Sequence, residues 1–145
     1  MRAVERTPWS ERRSTRHDEI CAAIAGDPYS LMHFLPCNGV KLDRLTVEAP
    51  CGPGFCDVLL ETHGLCSGWF VEVKTDAERA SAGDVIRQLR WYAAQRHGYV
   101  AKHLVCVPES NPDATFRRLL EAASVRIVTF GEIWDISRVN PKACA

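Results

Sequence analysis

The sequence predicts an α/β protein, with helices and strands interleaved along one chain. Three observations predict it. Two runs rich in β-branched and aromatic residues, Phe55–Glu61 and Gly68–Lys74, are joined by the turn residues Thr62–Ser67 and form a hairpin pattern. Ala82, Val85, Ile86, Leu89, Tyr92 and Ala93 then recur at three- and four-residue spacing, the stripe of a half-buried helix. His103–Val107 follows as a continuous apolar run, the mark of a buried strand.

Thr7 and Pro8 form a helix start, because proline suits the first helical position, and Gly26 stops that helix. Ile20, Cys21 and Ile24 make its apolar stripe; Arg12, Arg13, Arg16 and His17 give it a basic flank. Residues 27–38 are irregular but rich in apolar side chains. The first strand spans 41–49 and ends at the Pro50–Gly54 turn. After the hairpin, Ser81 with Asp84 three residues on has the form of a capping box and starts the central helix near Ala82. That helix stops near His97 and Gly98. Asn111, Pro112 and Asp113 open a further helix as N-cap, N1 and N2, running to about Ser124. Arg126–Phe130 is a last strand, Glu132–Ile136 a short turn or helix, and 138–145 a frayed tail. The order is α, β, β, β, α, β, α, β.

With 145 residues the chain suits a single domain, 1–145, with its main core over about 8–107 and a C-terminal helix and strand over about 112–136. Its 18 basic residues balance 18 acidic ones, so any basic surface for nucleic acid must be local. No apolar run approaches the ~18–20 residues of a membrane span, and the Arg-containing start lacks a signal-peptide core, so a cytoplasmic protein away from membranes is expected. Seven cysteines include no C-x-x-C pair, and the spacing of Cys37, Cys51, Cys56 and Cys66 fits no common zinc module. Reduced thiols, several serving as small core hydrophobes, are the expectation.

The hairpin carries the chemistry. Folded symmetrically about Gly64 and Leu65, it sets Asp57 opposite Glu72, and period-two alternation adds Lys74 to that face. Val58, Leu60, Trp69, Val71 and Val73 then fill the other face as core. Two carboxylates so close repel unless a cation joins them. A solvated face on which Lys74 simply pairs with either acid is the plainer alternative. On the next helix, Gln88 and Tyr92 are i, i+4 neighbours flanking the buried stripe.

Asp57, then Glu72-Val73-Lys74 on the paired strand, then a helix bearing Gln88-x-x-x-Tyr92, resembles the PD-(D/E)XK nuclease superfamily and its RecB-like branch. Cys56 replaces the usual proline before the aspartate. The resemblance spans about 8–107 and implies a mixed β-sheet flanked by helices, a restriction-endonuclease-like core. In size the chain resembles small standalone nucleases such as Holliday-junction resolvases and compact phage or mobile-element endonucleases. It implies metal-dependent hydrolysis of phosphodiesters, expected in DNA, with Asp57, Glu72 and the Val73 carbonyl holding Mg²⁺ or Mn²⁺. Lys74 would orient or deprotonate the attacking water, and Gln88 and Tyr92 would position site residues or substrate. Family members often add a first-helix acid to the metal site; Glu19 is that candidate, ahead of Glu11 and Asp18. Arg12, Arg13 and Arg16 are the candidate phosphate contacts, and a homodimer is expected for cutting both strands of a duplex. A non-catalytic nucleic-acid-binding or assembly module of the same fold is the alternative.

Overall fold

The computed structural model describes residues 15–139, with side chains described for 15–136. Five strands form one mixed sheet in the order β1 (Leu42–Cys51), β2 (Gly54–Thr62), β3 (Ser67–Lys74), β4 (Ala101–Pro108) and β5 (Val125–Ile127). β1–β2 and β2–β3 pair antiparallel; β3–β4 and β4–β5 pair parallel. The helices are α1 (Thr15–Gly26), α2 (Pro28–Met32), α3 (Ala82–Gln95), α4 (Ala114–Ala122) and α5 (Phe130–Val139). A 3-10 turn over Asp76–Glu78 leads from β3 toward α3.

Two apolar clusters sandwich the sheet. On one face Ile20 and Ile24 of α1, Leu31 and Met32 of α2 and Ile133 of α5 meet Val58, Leu60, Trp69, Val71 and Val73. On the other, Val85, Leu89 and Tyr92 of α3 and Leu120 of α4 meet Leu59, Phe70 and Cys106. Helices on both faces explain why β2 and β3 are buried almost throughout. The core predicted for one hairpin face is therefore present as drawn, and the opposite face is covered as well.

Several boundaries differ from expectation for local reasons. Within 27–38, Pro28 pre-sets the backbone of the short helix α2 at its first turn. Asp113 rather than Asn111 caps α4, its carboxylate accepting from Phe116 N at 2.8 Å. The last strand is only three residues long, and the predicted short turn is the ten-residue helix α5. Ser81 caps α3 as expected, with its hydroxyl accepting from Asp84 N at 3.1 Å. Gly26 ends α1 as expected; the predicted start at Thr7 and Pro8 lies outside the described residues. Among the described residues no helix is long and apolar enough to cross a membrane.

Candidate active site

The β2–β3 register is the symmetric one: Val58 pairs with Val71, Leu60 with Trp69 and Thr62 with Ser67. The pairing ends at Val58 and Val71, and one residue beyond it the Asp57 and Glu72 carboxylates are close enough to interact. Here simple alternation breaks. Cys56 and Val58, two residues apart, belong to clusters on opposite faces of the sheet. On β1 the break coincides with Glu48, a non-glycine residue at φ 52°, between the Val47–Val58 and Ala49–Cys56 pairs. Asp57 is thereby turned so that its Oδ2 accepts from Val73 N at 2.8 Å and lies 3.0 Å from His17 Nε2 on α1.

Glu72 and Lys74 end β3, at the carboxyl edge where parallel strands of α/β sheets present ligand sites. Lys74 Nζ lies 3.1 Å from Glu72 Oε2. Glu72 is only 4% exposed, and its Oε1 has no hydrogen-bond partner among the described residues. Burial and the adjacent Asp57 carboxylate push the Glu72 carboxyl well above the usual range, against the pull of Lys74. Burial works against the Lys74 ammonium, but Glu72 and Asp57 outweigh it and raise its pKa. The pairing of Lys74 with an acid, which the plainer alternative expected, is therefore present, but on a buried rather than a solvated face.

Gln88 and Tyr92 lie on the buried side of α3, packed toward the sheet with Val85 and Leu89. Gln88 is 0% exposed, yet neither Oε1 nor Nε2 has a hydrogen-bond partner among the described residues. A buried amide left in that state costs about 1–3 kcal/mol. Tyr92 makes an edge-on contact with Trp91 at 5.7 Å between ring centroids.

The α1 candidates require correction. Glu19 is exposed and lines a groove of about 510 Å³ with Arg16, Glu109, Phe130 and Trp134. His17, not Glu19, is the α1 residue that reaches Asp57, because residues two apart on a helix point to different sides. The same periodicity removes His17 from the expected basic flank: it is 1% exposed and continues the stripe of Cys21 and Ile24 back by one turn. That i, i+4 spacing was visible in the sequence, but adjacency to three arginines masked it. Arg16 is exposed, pairs with Glu109 at 2.9 Å, and lies 5.3 Å from the centre of the Phe130 ring. Arg12, Arg13 and Glu11 lie outside the described residues.

The groove adjoins the carboxylates through the backbone. Glu109 N donates to Lys74 O at 2.8 Å, and Glu109 Oε1 accepts from Asp76 N at 3.1 Å. The six described cysteines are free thiols. Cys37 belongs to the α1-side cluster, Cys51 and Cys56 to the α3-side cluster, and Cys66 is exposed, so these four share no centre. Burial pushes the Cys37 thiol up to about 11.

No family model, no curated protein and no solved structure matches the chain. Fold and site together define an α/β protein with a buried acidic centre at the carboxyl edge of its parallel strands.

Proposed function

We propose that this chain is a metal-dependent nuclease of the PD-(D/E)XK type, acting on phosphodiester bonds in DNA. One observation carries the proposal: two neighbouring buried carboxylates, Asp57 and Glu72, lie beside the ammonium of Lys74, which pairs with Glu72 at 3.1 Å. Such a centre opposes its own ionisation, and a bound cation relieves that opposition. The residues suit a divalent ion, since Glu72 Oε1 is buried without a hydrogen-bond partner among the described residues and its Asp57 neighbour is anchored by Val73 N. Asp57, Glu72 and the Val73 carbonyl would hold Mg²⁺ or Mn²⁺ through oxygen ligands, and His17, the α1 residue beside them, orients Asp57. When bound, such an ion lowers the pKa of its water and offsets charge on the scissile phosphate.

Lys74, held by Glu72, presents an ammonium where the substrate phosphate would lie and orients or deprotonates the attacking water. Gln88 supplies donor and acceptor groups with no other partner among the described residues. The Arg16–Phe130–Trp134 groove suits the nucleic-acid strand leaving the centre, pairing a guanidinium with aromatic faces. A homodimer would place two such centres on the two strands of a duplex.

The test is a cleavage panel of supercoiled plasmid, linear duplex, single strand and four-way junction, with Mg²⁺, Mn²⁺ or chelator. Asp57→Ala and Lys74→Ala are expected to reduce metal-dependent cleavage to background while circular dichroism stays unchanged. Undiminished cleavage in either variant, or no cleavage of any substrate by the wild type, favours the non-catalytic binding module.

A further inference from the structure

Behind the carboxylate pair, α1 and β2 bring together three different donor types. His17 and Cys21 are one helical turn apart and face the same way. Cys21 Sγ lies 3.8 Å from His17 Nδ1, and His17 Nε2 lies 3.0 Å from Asp57 Oδ2. One donor atom from each residue falls within 4.8 Å of the other two. All three side chains are buried, at 1%, 5% and 5% exposure.

We propose that His17, Cys21 and Asp57 form a binding site for a borderline divalent transition ion, zinc above all, with Cys21 as a thiolate ligand. Zinc bonds imidazole nitrogen, thiolate sulfur and carboxylate oxygen at about 2.0–2.3 Å. The thiol lies on the Nδ1 side of the ring and the carboxylate on the Nε2 side, so ligation through one nitrogen requires the ring or the thiol to rotate. Mg²⁺ fits such a set poorly. It demands oxygen ligands in near-octahedral order and gives up its waters reluctantly, whereas a thiolate selects softer ions. Three protein ligands leave one tetrahedral position open for water or an incoming oxygen, the pattern of reactive rather than purely structural zinc sites. Ligation exchanges the Cys21 thiol proton for the ion and releases that proton to solvent. An ion here would share Asp57 with the Glu72–Lys74 side of the site, yet its binding is independent of whether the chain cleaves phosphodiesters.

Cobalt is the probe, because tetrahedral Co²⁺ is coloured and a thiolate ligand adds a near-ultraviolet charge-transfer band. The full chain, stripped with chelator and kept reduced, is titrated with Co²⁺ in excess Mg²⁺. The expected result is one equivalent bound, a charge-transfer band, displacement by Zn²⁺ and none by Mg²⁺. Cys21→Ser should abolish the band and weaken Zn²⁺ binding by more than about a hundredfold, since loss of a partner that merely orients a ligand costs about 10–100-fold. His17→Asn should weaken it comparably. Circular dichroism confirms that each variant folds, with Cys21→Ala as the substitute if buried serine does not. Co²⁺ binding without a band, a band that persists in Cys21→Ser, or displacement by Mg²⁺ would overturn the site. Cleavage by Cys21→Ser in Mg²⁺ is measured separately, so loss of the thiolate site and loss of nuclease activity are read independently.

Discussion

Gln88 shows most directly how stability and function diverge at single residues. An amide with no exposed surface and no hydrogen-bond partner among the described residues is costly to the ligand-free fold. Gln88→Leu keeps the approximate volume and removes the unsatisfied groups. It is expected to raise the unfolding free energy by about 1–3 kcal/mol in urea titrations while lowering cleavage. A variant that loses stability would show instead that the amide is already satisfied. Glu61, which the sequence did not single out, is the opposite case of a buried acid fully served. Arg44 donates to both of its oxygens at 2.7 and 3.0 Å, and the Tyr99 hydroxyl donates at 2.8 Å. Burial alone would raise its pKa, but these partners outweigh burial and lower it. The unfolded chain binds this proton at about pH 4.3 and the folded chain only below that. The contribution of Glu61 is thus complete above the unfolded value and is lost as pH falls through the lowered folded one. Thermal melts of wild type and Glu61→Gln should therefore differ most at neutral pH and converge in acid.

At the scale of elements, the irregular point on β1 and β2 matters more than the regular ladder. The left-handed Glu48 and the switch of face between Cys56 and Val58 release Asp57 from the alternation of its strand, letting it address α1 and β3 together. Bulged or strained strand positions commonly serve to re-aim a side chain in this way. Glu48→Gly is expected to be tolerated or mildly stabilising in thermal melts, because glycine adopts a positive φ without the steric cost of a Cβ. The caps are ordinary by comparison. Ser81→Ala and Asp113→Ala should each cost about 1 kcal/mol, measured by chemical denaturation, with cleavage by Asp113→Ala unchanged.

For the whole molecule, the centre joins elements from separate parts of the chain: α1, the β2–β3 hairpin and the start of the segment after β4. A ligand that binds only this assembled state stabilises all of it by mass action, about 2.7 kcal/mol at a hundredfold excess over its dissociation constant. For a chain of this length that is a rise of about 5–10 °C in Tm. Mn²⁺ or Zn²⁺ should produce such a shift in the wild type, and Asp57→Ala should remove most of it. The absence of any shift in the wild type, with and without a bound oligonucleotide, would leave the centre without a cation.

What the sequence determined by itself is whatever depends on period and neighbour. The strand pattern and turn residues set the hairpin register, and Ser81 with Asp84 marked the start of α3. Glu72 and Lys74 were legible as a pair because β3 alternates, and Asp57 joined them because the hairpin is local, although its own strand breaks the alternation there. Tertiary structure alone decided which α1 residue joins them. Residues 16–21 offered arginine, histidine, two acids and a cysteine on one short helix. Only the docking of Ile20 and Ile24 against the sheet fixed the rotation that buries His17 and Cys21 and leaves Glu19 in water. Asp57 meets His17 across forty residues, and a contact that long is written in the packing of two faces, not in any spacing along the chain.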